Sequence, residues 1–354
     1  MEEKKDTLGM LDLVIRPGFC VKENQIIKVN QAAESLFITP GTDIRPLLLT
    51  GAEEYAAFTG GCLYLTLSLS SHSWGASVTR VEDTDVFLLE QDSDNGELRS
   101  MALAARELRE PLTNVMITAD SLFPLCAAES SPRTAEQVAR LNRGLFQILR
   151  IIGNMSDAER CAAVSHQETV DIPALFAEFF EKAETLVSHT GITLTYEGPD
   201  QPIYGLADRE QLERAVLNIL SNAIKFTPKG GTVTAKLTRS GRMLRLSVTD
   251  SGSGIAQSVR SSVFSRYLRQ PALEDSRYGI GLGMVLIRTA AAHHGGAVLI
   301  DQPDGAGTRI TMTMSIRQSK QATLRSNVLR VDYAGERDHG LIELSECLPT
   351  ELYE

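Results

Sequence analysis

Disulfide frameworks, membrane spans and basic faces each leave a mark on a sequence, and this chain carries none of them. Its five cysteines, Cys20, Cys62, Cys126, Cys161 and Cys347, are odd in number, scattered and without a CxxC pair. That spacing excludes a stapled secreted scaffold and a thiolate zinc site, and it fits reduced thiols in a cytoplasmic protein. Apolar runs such as CLYLTLSLS at 62–70 are far shorter than the ~18 residues a spanning helix requires. The opening MEEKKDTLGM has no apolar h-region, so neither a signal peptide nor direct membrane insertion is expected, and any signal is cytoplasmic or delivered by a partner. A formal net charge of -10 and a pI near 5.3 exclude the basic face that nucleic acid needs. Aromatics are sparse at 6%, with Trp74 the sole tryptophan, yet 354 residues give room for the cores of about two to three domains.

What the chain does carry is concentrated between Asp208 and Ile316. In REQLERAVLNILSNAIKF, Leu212, Val216, Ile219 and Ala223 recur at helical spacing and leave Asn218, Asn222 and Lys225 on another face. Magnesium takes oxygen ligands and shares them with nucleotide phosphates, so these amides beside an ammonium suit such a pair. Solvated polar residues on an amphipathic helix give the same pattern. RMLRLSVT at 242–249 alternates as a half-buried strand and delivers Asp250, whose carboxylate can accept from an adenine amine. Gly252 and Gly254 allow the backbone close to a flat base, although the same stretch alone is an ordinary turn. Gly279, Gly281 and Gly283 precede LGMVLIRTAAAHH, an apolar-periodic helix stopped by Gly295 and Gly296, and glycine-loop amides at a helix start bind phosphate. No βαβ context with a following acid surrounds them, so a lid fits better than a dinucleotide fingerprint.

In chain order, N-x-x-x-N-A-x-K-F-T-P, D-x-G-x-G-I, VFSRYLR, G-x-G-L-G and GAGTRITMTM closely resemble the ATP-binding domain of sensor histidine kinases, the Bergerat-type ATPase fold, over roughly 165–316. The resemblance implies ATP and Mg²⁺ as cofactors. It places Asn218, Asn222 and Lys225 at the metal and phosphate positions, the two asparagines holding Mg²⁺, and Asp250 at the adenine contact. Gly252, Gly254, Gly279, Gly281 and Gly283 match its glycine boxes, Arg266 and Arg269 its phosphate-facing basic residues, and Thr308 its threonine near the adenine pocket.

Upstream, the short runs LDLVI, QIIKVN, CLYLTLSL, SWGASVTRV and TDVFLLEQD, with a helical NQAAESLF between the early ones, resemble a PAS-type sensor domain feeding straight into a helix. Trp74 and Phe58 are expected in its core, and no His or Cys places haem or a flavin adduct. An internal small-molecule pocket and a ligand-free dimerisation module both fit. From about Glu97 to Ala162 the period is helical, broken by AAESSP at 127–132. Leu98, Met101, Leu108, Leu112, Val115 and Leu122 face Val138, Leu141, Leu145, Ile148, Leu149 and Ile152 in an antiparallel hairpin. Such a hairpin buries its stripe only by pairing, so a dimeric four-helix bundle is expected, as a homodimer or as a heterodimer with a homologous kinase.

The first arm holds Arg106-Glu-Leu-Arg-Glu-Pro-Leu112, which resembles the family's phosphoacceptor box, His-Glu-Leu-Arg-Thr-Pro-Leu. Arg106 stands in place of the phosphorylated histidine, and a guanidinium has no lone pair with which to attack a phosphate. Glu110 stands in place of the residue used in dephosphorylating a response regulator. Glu107 matches the acid that assists the histidine, and Pro111 is expected to bend the arm. None of His72, His166, His189, His293, His294 or His339 lies on the first arm.

Residues 163–207 read as a helix, VDIPALFAEFFEKAETLVS, followed by strands ITLTYE and PIYGLA opening the ATPase sheet. Asp208 caps the next helix, KGGTVTAKLT is a further strand and Pro271 to Tyr278 a lid. In the tail, VLRVDY reads as a strand and LIELSECLP as an apolar pairing segment, with no chemistry assigned. The expected architecture is multidomain α+β: a PAS-like α/β sensor at 1–93, a helical-hairpin dimerisation domain at 94–162, an α/β-sandwich ATPase at 163–316 and a tail at 317–354. Three functions fit: a kinase-like protein of two-component signalling acting in trans on a partner's histidine, a non-catalytic ATP-binding scaffold that sequesters a response regulator or kinase, and a conventional kinase with another acceptor.

Overall fold

The computed structural model describes residues 11–91, 95–128, 132–163, 166–255, 263–264, 282–303, 307–317 and 337–353. The expected lid at 271–278, the strand expected at VLRVDY and part of the AAESSP break lie outside the described residues.

The N-terminal lobe is a five-stranded antiparallel sheet of β1 (Gly18–Lys22), β2 (Gln25–Val29), β3 (Cys62–Leu69), β4 (His72–Val81) and β5 (Thr84–Gln91), in the order β2-β1-β5-β4-β3. Short helices α1 (Gln31–Glu34) and α2 (Ala52–Ala56) lie between β2 and β3. Trp74 and Phe58 are buried as expected, in a core with Phe19 and Phe87, whose rings stack at 4.9 Å. LDLVI differs from its alternating pattern: Leu11–Leu13 is a 3-10 turn. Asn30 Nδ2 donates to the carbonyls of Val14 and Arg16, which removes those acceptors from any sheet ladder.

β3 is buried over most of its length because its outer edge is also taken. It pairs antiparallel with β11 (Val298–Asp301), with Tyr64 opposite Val298, Leu63 opposite Leu299 and Cys62 opposite Ile300. The two lobes thereby share one ten-stranded sheet, β2-β1-β5-β4-β3-β11 followed by β12 (Arg309–Ser315), β10 (Met243–Asp250), β9 (Thr232–Ser240) and β7 (Thr193–Glu197). Gly61 makes the approach possible: its φ is +90°, and a Cβ there would sit 2.3 Å from the Ile300 carbonyl oxygen. An ion pair crosses the same junction. Arg288, 2% exposed, lies 2.6 Å from Glu90 at the end of β5 and over the Tyr64 ring at 4.7 Å, while Arg16 holds the other Glu90 oxygen at 2.7 Å.

α3 (Asn95–Ala128) and α4 (Pro132–Ala163) form the expected hairpin. α3 continues through Pro111, whose missing N–H leaves the Glu107 carbonyl without its helical donor. Ala105, Leu112, Met116 and Ala119 on α3 and Leu145, Phe146, Leu149 and Ile152 on α4 are buried in the main core. Leu108, Val115 and Leu122, together with Leu141 and Ile148, remain 46% to 58% exposed.

The C-terminal lobe builds helices α5 (Ile172–Val187), α6 (Arg209–Phe226) and α7 (Leu282–His293) against β11, β12 (Arg309–Ser315), β10 (Met243–Asp250), β9 (Thr232–Ser240) and β7 (Thr193–Glu197). The alternation of Val233, Ala235 and Leu237 on β9 with that of Leu244, Leu246 and Val248 on β10 gives the sheet its buried face. ITLTYE becomes β7, parallel to β9 at the sheet's edge. PIYGLA does not join this sheet: β8 (Tyr204–Ala207) pairs only with β6 (Glu168–Asp171) in a separate two-stranded ribbon. Its backbone goes elsewhere because Leu206 N–H donates to the Arg317 carbonyl at 2.7 Å. LIELSECLP forms the short helix α8 (His339–Glu343) and a following turn, packed on α4 and α6. Ile342, Leu344, Leu348 and Tyr353 are buried there, each worth about 1.5–3 kcal/mol before the cost of ordering the segment. Among the described residues no helix is long and apolar enough to cross a membrane.

Candidate functional site

α6 supplies the densest set of functional side chains. Asp208 caps it, accepting from Gln211 N–H at 3.2 Å, and Thr227 closes it with its hydroxyl donating to the Ala223 carbonyl at 2.7 Å. Packing on the sheet, α5, α7 and α8 buries much of α6, polar positions included. Asn218 is 1% exposed; its Nδ2 donates to the Arg214 carbonyl at 2.9 Å and contacts Glu343 Oε2 at 3.4 Å. Its Oδ1 has no hydrogen-bond partner among the described residues. That oxygen faces the start of α7, where a Cβ on Gly283 would come within 2.8 Å of it. Asn222 points to the same place, its Nδ2 lying 3.8 Å from Met284 Sδ. Lys225 Nζ pairs with Glu346 at 2.8 Å. Of these three, Asn218 is buried and Asn222 and Lys225 are half-buried.

β10 carries Asp250 into the interior beside β9 and β12. Its Oδ1 accepts from Gly252 N–H at 2.8 Å and Thr308 N–H at 3.1 Å, so Thr308 acts here through its backbone. Burial raises the Asp250 carboxyl above its ordinary range, and those two amides oppose the shift only in part. Gly254 has φ +75° and lies beside the Gly307 carbonyl. Arg266, Arg269, Gly279 and Gly281 lie outside the described residues. Arg106, Glu107 and Glu110 are all exposed on α3.

The sequence pattern missed a cluster of charges where α4, α6 and α8 meet. Glu343, with no exposed side-chain surface, lies 3.3 Å from Arg150 and 3.1 Å from Arg214. Glu346 lies 3.0 Å from Arg150 as well as against Lys225. Arg150 also donates to Ser221 Oγ at 3.1 Å, and Arg214 to Asn154 Oδ1 at 2.8 Å. Burial alone would raise Glu346, but Arg150 and Lys225 outweigh it and hold the carboxyl below the usual range. Two glutamates three apart in an apolar segment were the available signal. Nothing local said what they would meet.

A buried amide oxygen left open at Asn218, with Asn222 beside it, is the donor type a hard cation takes, and the residues fit Mg²⁺ shared with phosphates. Among the described residues there is no cluster of His, Cys, Asp and Glu that would hold a metal without such a ligand. Cys20, Cys62 and Cys347 are free thiols.

A family model described as histidine kinase-, DNA gyrase B-, and HSP90-like ATPase matches residues 207–318. The chain is similar to an uncharacterised sensor-like histidine kinase of Rhizobium meliloti, 28% identical over 276 residues, which are 73% of this chain and 52% of that protein. It is also similar to the adaptive-response sensory kinase SasA of Crocosphaera subtropica, 26% identical over 70% of this chain and 68% of that one. Among solved structures, full-length ShkA in complex with AMPPNP superposes with a TM-score of 0.51 at 23% identity, over 70% of this chain and 54% of that one, a likeness of fold. The chain spans about half the length of the Rhizobium relative.

Proposed function

The chain belongs to the sensor histidine kinase family, and we propose that it binds ATP with Mg²⁺ and passes the γ-phosphoryl group in trans to the histidine of a homologous partner. One contrast carries this reading: Asn218 and Asp250, buried, and Asn222 and Lys225, half-buried, belong to one lobe, while Arg106 stands exposed where the resemblance expects the acceptor histidine. Asp250 would take the adenine amine, its Oδ1 already fixed by two backbone amides. Lys225 would neutralise phosphate oxygens, and Asn218 and Asn222 would hold the metal, which when bound spreads the charge of the transferring group. Phosphoryl transfer depends mostly on positioning and charge, so a chain without its own acceptor can still present the donor.

The partner surface is the exposed side of the hairpin. Leu108, Val115 and Leu122 recur every seven residues on α3, and Leu141 and Ile148 do so on α4, the spacing of a helical-bundle seam. That stripe supports a dimeric four-helix bundle with a second copy or a homologous kinase, and through it an input from residues 1–93 as a PAS-like sensor. A response regulator is the downstream partner this role implies. The second reading, a non-catalytic regulator, is favoured by the contact of Glu343 and Glu346 with the nucleotide residues.

The test is incubation with γ-labelled ATP and Mg²⁺, reading acid-labile label on the wild type, on Arg106→His and on an added histidine-bearing homologue. Label on the variant and the homologue but not on the wild type is expected. Label on the wild type alone would place the acceptor elsewhere in this chain, and label on none would leave the binding-only regulator.

A further inference from the structure

We propose that residues 337–353 are an intramolecular ligand of the phosphate subsite, Glu343 and Glu346 engaging the cations and the asparagine that a nucleotide's phosphates and metal would use. Tail and nucleotide then compete. The proposal rests on the nucleotide reading above and adds its regulation.

Two buried or half-buried carboxylates are costly unless cations match them, and here Arg150, Arg214 and Lys225 converge on them at 2.8 Å to 3.3 Å. Carboxylate and phosphate are interchangeable guests for such a cluster, because arginine and lysine recognise both through charge-assisted hydrogen bonds. Asn218, the residue with the open amide oxygen, touches Glu343 through its nitrogen. The segment is placed, not merely adjacent. Arg143 donates to the carbonyls of Ser345 and Glu346, Gln147 to Ser345 and Asn142 to the Tyr353 carbonyl. The Tyr353 ring meets Phe146 edge-on at 5.2 Å. All of those anchors lie on α4, the second arm of the hairpin, whereas Lys225 and Arg214 lie on α6. A docked tail therefore adds to the contacts that tie the hairpin to the ATPase lobe, and displacement by nucleotide would remove that part of them.

Ser221 Oγ lies 3.8 Å from Cys347 Sγ, so Ser221→Cys puts a thiol where a disulfide can hold the tail down. Affinity for Mg²⁺-AMPPNP is measured by calorimetry on the full chain. The oxidised Ser221→Cys protein is expected to bind about tenfold or more weakly than the same protein reduced, and Glu346→Gln about tenfold more tightly than the parent. Ser221→Cys combined with Cys347→Ala is expected to show no redox dependence. Equal affinity in the oxidised and reduced protein, with the disulfide verified by mass, overturns the competition and leaves the nucleotide reading intact. Absence of binding in every form, Glu346→Gln and reduced protein included, overturns the nucleotide reading and the tail proposal with it.

Discussion

Asn218 on α6 and Arg106 on α3 lie in the two stretches on which the proposed function rests, and their surroundings differ. Asn218 is buried and tied to Arg214 and Glu343, with Gly283 pressed against its oxygen. Arg106, Glu107 and Glu110 are exposed. An exposed helical position takes a new side chain for roughly ±0.5 kcal/mol, whereas a buried polar residue with packed neighbours does not. A substitution at Arg106 is therefore separable from the fold in a way that one at Asn218 is not.

The largest expected effect breaks this contrast directly. Arg106→His restores an imidazole at an exposed site, so acid-labile label should go from none to readily detected, with unfolding unchanged within about 0.5 kcal/mol. Adding Glu107→Gln to that variant should lower the label without touching nucleotide affinity. Next is Asp250→Asn, which keeps an oxygen for the Gly252 and Thr308 amides but loses the anionic acceptor. Calorimetry should show about 10- to 100-fold weaker ATP binding. Because burial raises the Asp250 carboxyl, its ionised form opposes folding above about pH 3.9, so the variant's melting temperature at neutral pH should be unchanged or higher.

The expected helix 209–226, the strand ending at Asp250, the helix after Gly283 and the hairpin were legible because each is set by local periodicity and capping. The ribbon of β6 and β8 was not, since nothing in PIYGLA distinguishes a strand of the main sheet from one diverted to Arg317. Nor was the tail's destination: the match of Glu343 to Arg150 and Arg214 joins residues far apart in sequence. Of the candidate site, Asn218, Asn222, Lys225 and Asp250 could be named from their motif. The burial of Asn218 and Asp250 is a tertiary result.

Two smaller effects sharpen the comparison. Val115→Glu places a charge in the seven-residue stripe, and sedimentation should show a dimer of the parent and a monomer of the variant, with nucleotide affinity unchanged. The tail should loosen only in acid. Its Glu346 carboxyl is held low, so its stabilisation is full above about pH 4.3 and is lost as pH falls through the docked value. Hydrogen exchange of 337–353, corrected for intrinsic rate, should show no loss between about pH 6 and 8 and an increasing loss as pH is taken below about 4.3.

The pairing of β3 with β11 also settles a problem of solubility. Separated, each lobe would present an unpaired stretch of strand edge, Cys62–Tyr64 on one side and Val298–Ile300 on the other, and such edges recruit strands from other molecules. Joined, they cap one another across a seam whose close approach Gly51 and Gly61 admit, so a lobe produced alone is expected to self-associate through the edge its neighbour covers.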